Sequence, residues 1–286
     1  MIFPCVFSGL KRVYFELSEP IEEMNKITRL SIRNVTMTAE VTRSLICSQV
    51  IKVLKLTDVN LPVSSITSNF HHLQEINLSL EKQVDFEQVN QLLLKCQLGQ
   101  LRMVKIRYHG YGSPLCIDSL SDLLWSQHKS IQVLKLDKIK LGIDKLPHAF
   151  DNLTELEIED VEHSYESLIE LLKKCNETLQ YLHLDLRGVN ISCNFDLLLP
   201  SLKYIYISEA SFSKGGLLAL LKSCFQSLEA LILLNVYFQS DLYPIDICPP
   251  HLEIIDLDSN ACRIFNKICV NSNLKQIFLD NNSNRF

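Results

Sequence analysis

Glu155, Glu157 and Glu159 alternate within Thr154-Glu-Leu-Glu-Ile-Glu159, and alternate residues of an extended segment share one face. Three carboxylates on one face are the arrangement in this 286-residue chain best suited to acid–base chemistry. No nucleophile or second catalytic pair accompanies them, so the spacing reads as a solvated acidic stripe. His71-His72 lies beside Leu73 and reads as a solvated turn pair rather than a metal site. Ten cysteines offer thiol or zinc chemistry, yet no Cys-x-x-Cys pair occurs among them. Gly-x-Ser-x-Gly, His-Glu-x-x-His and glycine-rich phosphate loops are all missing. The residues predict no enzyme, no metal and no cofactor.

The cysteines instead point to a repeating scaffold. Cys96, Cys175 and Cys224 close the similar segments Leu-Leu-Leu-Lys-Cys, Leu-Leu-Lys-Lys-Cys and Leu-Leu-Lys-Ser-Cys. Equivalent positions in stacked units become small buried hydrophobes, a common fate of free cysteine. Reduced thiols predict a cytoplasmic or nuclear protein.

The repeat itself is a triplet of apolar residues spaced Leu/Ile-x-x-Leu/Ile/Val-x-Leu/Ile. It runs Ile27/Leu30/Ile32, Ile51/Leu54/Leu56, Leu73/Ile76/Leu78, Leu101/Val104/Ile106, Ile131/Leu134/Leu136 and Leu153/Leu156/Ile158. It continues as Leu179/Leu182/Leu184, Leu202/Ile205/Ile207, Leu228/Leu231/Leu233, Leu252/Ile255/Leu257 and Leu274/Ile277/Leu279, with a weaker copy at Leu10/Val13/Phe15. The mean spacing of about 25 residues falls in the range of leucine-rich repeats. The expectation is one α/β domain over residues 1–286, a leucine-rich-repeat solenoid (horseshoe) of about 11–12 units. A parallel sheet should line its concave face.

The convex face is expected to alternate helices with extended or 3₁₀ segments. Helical patterns run from Phe86 to Cys96, Ser119 to Trp125, Tyr165 to Cys175 and Leu217 to Cys224, with Asp118 or Ser119 and Ser213 as cap regions. Connections holding Leu61-Pro62, Leu146-Pro147, Leu199-Pro200 and Pro249-Pro250 lack that pattern. After each strand an apolar residue (Val35, Val59, Ile139, Val161, Ala210, Val236) usually recurs, with Asn260 and Asn282 in two repeats. Glu81, His109 and Arg187 interrupt that ladder and predict irregular turns.

Net charge of −5 favours neither nucleic acid nor an anionic membrane as partner, and no apolar run is long enough to span a bilayer. Residues 1–10 read as part of the array rather than a secretory leader. Six Asn-x-Ser/Thr sites, at Asn34, Asn77, Asn152, Asn176, Asn190 and Asn281, support an extracellular recognition protein of immune or adhesive type as an alternative. A free-standing scaffold that buries its apolar band in a homodimer is a third reading.

The outward positions of successive strands form bands. Arg29, Arg33, Lys55, Lys105, Arg107 and Lys135 are basic; Glu155, Glu157, Glu159 and Asp185 are acidic. Tyr181, His183, Tyr204 and Tyr206 follow, then Ala230, Ile232, Leu234 and Ile254. An aromatic and aliphatic band on a face otherwise wetted marks a protein-binding surface. The expected partner-binding residues are Tyr181, His183, Tyr204, Tyr206, Ile232 and Ile254 as anchors, with Glu155 and Glu157 selecting a basic ligand segment.

The segment Ala210-Ser-Phe-Ser-Lys-Gly-Gly-Leu-Leu-Ala-Leu-Leu-Lys-Ser-Cys224, followed by Leu228-x-x-Leu231-x-Leu233, resembles the cysteine-containing repeats of F-box/LRR substrate receptors. The Cys175 repeat matches the latter half of that pattern and Cys96 matches loosely. The resemblance implies a protein or peptide ligand on the concave face and a role as the substrate-binding part of a ubiquitin-ligase receptor. Contact with a ligase adaptor would need an F-box upstream, since Met1 to Lys26 is too short to form one.

Overall fold

The computed structural model describes residues 13–14, 28–33, 35–36, 39, 42, 50–59, 69–81, 86–97, 100–111, 113–141, 146–160, 165–187, 189–191, 197–213, 215–238, 249–258, 261 and 274–280. Eleven strands build one sheet: β1 (Arg29–Arg33), β2 (Val53–Thr57), β3 (Glu75–Leu80), β4 (Met103–Tyr108), β5 (Val133–Asp137) and β6 (Glu155–Glu159). The row continues with β7 (Tyr181–Asp185), β8 (Tyr204–Ser208), β9 (Ala230–Leu234), β10 (Ile254–Asp258) and β11 (Gln276–Asp280). Each lies beside its sequence neighbours, and every pairing is parallel. The result is an α/β repeat array on a single parallel sheet, consistent with a leucine-rich-repeat solenoid.

Repeat spacing decides this order. A parallel step needs a crossover connection, and one unit of about 25 residues holds one strand plus one return path. The triplet residues then stack row upon row. From Ile51 through Leu257 every triplet position is 4% exposed or less. Val89, Leu92 and Leu93 of helix α1 (Phe86–Lys95) belong to the same core, as do Leu120, Leu123 and Leu124 of α2 (Asp118–Gln127). So do Leu168, Leu171 and Leu172 of α3 (Tyr165–Lys173), and Leu217, Leu220 and Leu221 of α4 (Gly216–Ser223). The helices therefore cover one face of the sheet and leave the other open.

Several sequence expectations change here. The expected alternation is broken where α1 and α2 stand on successive connections; from β4 to β9, among the described residues, helix-bearing connections alternate with ones that show no helix. Helix α2 begins at Asp118 behind Ile117, which supplies no side-chain cap. Asn90 of the preceding helix does that work instead: its Oδ1 accepts from the Ser119 N–H at 3.1 Å and the Ser119 hydroxyl at 2.8 Å. At α4 the cap is Gly215, and the Ser213 hydroxyl has no partner. Val13–Tyr14 pairs with Val35–Thr36 outside the main sheet, so Val13 does not occupy the strand position of a twelfth triplet. Leu61-Pro62, Val161, Asn260 and Asn282 lie outside the described residues.

The post-strand ladder has a backbone cause. Asp58, Lys138, Asp160, Glu209 and Asn235 adopt φ of 49° to 56°, each directly after a strand. That left-handed residue turns the chain so that the next one points inward, and Ile139, Ala210 and Val236 are fully buried. The three irregular turns predicted at Glu81, His109 and Arg187 are sites where no left-handed residue precedes the ladder position. At the end of β10 the Asp258 carboxylate accepts from Val236 N–H at 3.1 Å and Ala261 N–H at 2.7 Å.

Cys96, Cys175 and Cys224 are free and 2% exposed or less. Their thiols donate to the carbonyls of Leu92, Leu171 and Leu220 at 3.3, 3.5 and 3.4 Å. Burial raises all three thiol pKa values, those of Cys175 and Cys224 to about 12. Because the thiolate is the nucleophile, maleimide at pH 8 should modify exposed Cys116 and spare these three until the chain is denatured. Peptide mass mapping before and after unfolding checks this; native labelling of Cys175 would contradict it.

Candidate functional site

The open face is read along its registers. One row runs Val133–Glu155–Tyr181–Tyr204–Ala230–Ile254, and the next runs Lys135–Glu157–His183–Tyr206–Ile232–Asp256. Parallel pairing with no slip thus gathers the expected anchors into one patch: Tyr181, Tyr204 and Ile254 in the first row, His183, Tyr206 and Ile232 in the second. All are half-buried except Tyr181, which is 44% exposed. Leu234 lies at the patch margin and is half-buried.

The aromatic groups hold one another. Tyr181 and Tyr204 stack with centroids 4.5 Å apart and planes 2° from parallel. His183 and Tyr206 lie 4.1 Å apart at 49°. Neighbouring strands bring the bases of such pairs to ~4.8 Å, so parallel stacking follows from the sheet spacing. Rings already ordered in this way lose little rotamer freedom when a ligand covers them. Ala230, between Tyr204 and Ile254 in the first row, is 2% exposed.

The acidic stripe differs from its sequence reading. Lys135 bridges Glu155 and Glu157, the latter at 2.8 Å, and Arg107 reaches Glu157 at 3.4 Å and Asp137 at 3.9 Å. These carboxylates are therefore paired across strands rather than freely solvated. Burial pushes the Glu157 carboxyl up, but the Lys135 hydrogen bond and charge outweigh it and hold the group below its usual range. Burial lowers the His183 imidazole, so it is neutral near pH 7 despite Glu159 at 3.7 Å.

Glu159 is the unbalanced member. Burial raises its pKa first, and the charges of Glu157 and Asp137 raise it further. A raised carboxyl binds its proton more tightly in the folded chain, so ionisation at pH 7 opposes folding and acidification relieves it. Glu159→Gln should raise the melting temperature at pH 7, and the gain should shrink as pH falls toward the ordinary value of 4.5. Paired thermal scans measure this; a gain that persists unchanged at low pH would contradict it.

Glu157, Glu159 and His183 also bring their donor atoms within 4.8 Å of one another, a set able to hold a divalent cation. Glu157 is already engaged by Lys135 and Arg107, and nothing beyond the cluster itself points to an ion. Among sequence features, Asn77 stands on the open face between Lys55 and Lys105, where a glycan would cover the sheet. Asn152 donates from its side chain to the Lys129 carbonyl at 2.7 Å. Sequence reasoning missed the ion-pair network because its partners lie 22 and 50 residues apart.

No helix among the described residues is long and apolar enough to cross a membrane. No family model matches the chain, and no curated protein matches it. Among solved structures it is similar to a chain in the crystal structure of the Rad7 and Elc1 complex in yeast, with 16% identity and a TM-score of 0.44. The alignment covers 89% of this chain and 70% of that one. An overlap of that size carries no inference about what this chain binds.

Proposed function

We propose that the protein is a recognition module that holds a protein or peptide ligand on the open face of its sheet, the concave face of the horseshoe expected from the repeat. The observation carrying this reading is the pre-stacked aromatic patch. Tyr181/Tyr204 and His183/Tyr206 stand beside Ile232 and Ile254 on a face whose remaining positions are largely charged or polar. Ordered tyrosines flanked by aliphatic side chains are the usual make-up of energetic centres in interfaces. Glu155 and Glu157 belong to the polar rim: a basic ligand segment would have to displace Lys135 from them.

The resemblance of the Cys224 repeat to F-box/LRR receptors supports a ubiquitin-ligase substrate receptor as the setting for this recognition. Free buried thiols fit a cytoplasmic or nuclear location. Non-catalytic recognition without metal or cofactor is part of the same proposal.

Proteins captured from lysate by the immobilised chain are ranked by a second step, binding to Tyr204→Ala/Tyr206→Ala. Loss of two anchors should weaken a true open-face ligand about thirtyfold or more, the equivalent of roughly 2 kcal/mol. Far-ultraviolet circular dichroism verifies that the variant is folded. Unchanged affinity of every captured protein for the folded variant would defeat the proposal.

A further inference from the structure

The second row of the open face extends on both sides of the aromatic patch. Toward β2 it reads Lys135, Lys105, Asn77, Lys55; toward β11 it reads Ile232, Asp256, Phe278. The two sides differ in how their charge is matched. Lys135 and Arg107 are neutralised by Glu155, Glu157 and Asp137. Lys105 forms no ion pair among the described residues, although it is half-buried and stands beside Arg107 and Lys135. Burial, then the charge of Arg107, pulls its ammonium below the ordinary lysine range.

The charges of Glu157 and Glu159 offset part of that effect. A partly desolvated cation gains more from an incoming anion than an exposed lysine does, because its own solvation is already reduced. Lys55, exposed, adds a second positive charge two strands away, and the Asn77 amide lies between them. At the opposite end the row presents Tyr206 and Ile232, with Phe278 two strands beyond Ile232. The row thus offers cationic groups at one end and apolar groups at the other.

We propose that the ligand of this face is an extended peptide segment with a carboxylate cluster at one end and aromatic or aliphatic side chains at the other. The carboxylates sit over Lys105 and Lys55, and the apolar side chains sit on Tyr206 and Ile232. From β4 to β8 there are four inter-strand steps, about 19 Å at ~4.8 Å each, which an extended chain spans with about six residues. This proposal rests on the open-face reading above and adds the chemistry and spacing of the ligand.

The full chain is titrated into fluorescein-labelled peptides of twelve residues in 50 mM salt. Each carries an Asp-Glu-Asp block, a six-residue Gly/Ser spacer and an Ile-Phe-Leu block, made in both orders; controls replace the acidic block by Lys-Lys-Lys. Saturable anisotropy with at least one acidic order is expected, at least tenfold tighter than its lysine control. Lys55→Glu/Lys105→Glu should weaken it at least tenfold, as should Tyr206→Ala, with Lys105→Gln giving a smaller loss that excludes misfolding as the cause. If Tyr206→Ala matters and the lysine reversals do not, this proposal fails while the open-face reading stands. If neither matters, both fail for these peptides. Equal binding of the lysine controls, or no binding of any probe, also overturns the acidic–apolar assignment.

Discussion

Replacing Phe212 by alanine is expected to destabilise the fold by about 3–5 kcal/mol, the range for emptying a buried aromatic site. Phe212 is fully buried, the largest fully enclosed side chain among the described residues, and stacks on Phe238 with centroids 5.8 Å apart. It lies in the short ladder Asn190–Ile191, Ser211–Phe212, Tyr237–Phe238, which runs beside the ends of β7, β8 and β9. In a stacked array each unit contacts only its neighbours, so a defect is felt locally. Hydrogen exchange should show β8 to β10 opening well before β3 to β6. Uniform acceleration across all strands would mean that the array unfolds as one cooperative body and that the local argument is wrong.

The second large effect comes from a buried polar side chain. Gln127, 5% exposed at the end of α2, accepts from the Leu101 N–H at 3.1 Å and donates to the Gln97 carbonyl at 2.5 Å. It braces the turn that leads from α1 into β4, one repeat earlier. Gln127→Ala strips a donor and an acceptor of their partner at once. Each such orphan costs about 1–3 kcal/mol, so a loss of roughly 2–4 kcal/mol is expected once water recovers part of it. Gln127→Leu restores the volume without the hydrogen bonds and should be nearly as damaging. Urea denaturation of both variants decides the matter, and a leucine variant as stable as wild type would assign the effect to packing.

Much of the scaffold was legible in the chain because its signals are local. Leu156 and Ile158 had to face inward, and Glu155, Glu157 and Glu159 outward, because strand geometry alternates by residue. The helices ending near Cys96, Cys175 and Cys224 could be read from apolar spacing and appear within two residues of their expected ends. The neighbour relations Tyr181–Tyr204 and His183–Tyr206 followed from aligning equivalent repeat positions. Where the repeat is irregular the reading weakened: Leu10/Val13/Phe15 matched the triplet spacing, yet Val13 pairs with Val35 outside the main sheet.

What the sequence determined by itself was the parallel repeat, the faces of its strands and the apolar band on the open side. These depend on period and polarity, properties of one residue and its near neighbours. Tertiary structure alone decided that Lys135 ties down Glu155 and Glu157, that Lys105 is left without an ion pair among the described residues, and that Asn90 caps α2. It also decided that Gln127 braces a turn 26 residues away. Such contacts turn on side-chain torsions and on atoms a few ångströms apart across adjacent strands or helices, and no one-dimensional pattern encodes those distances.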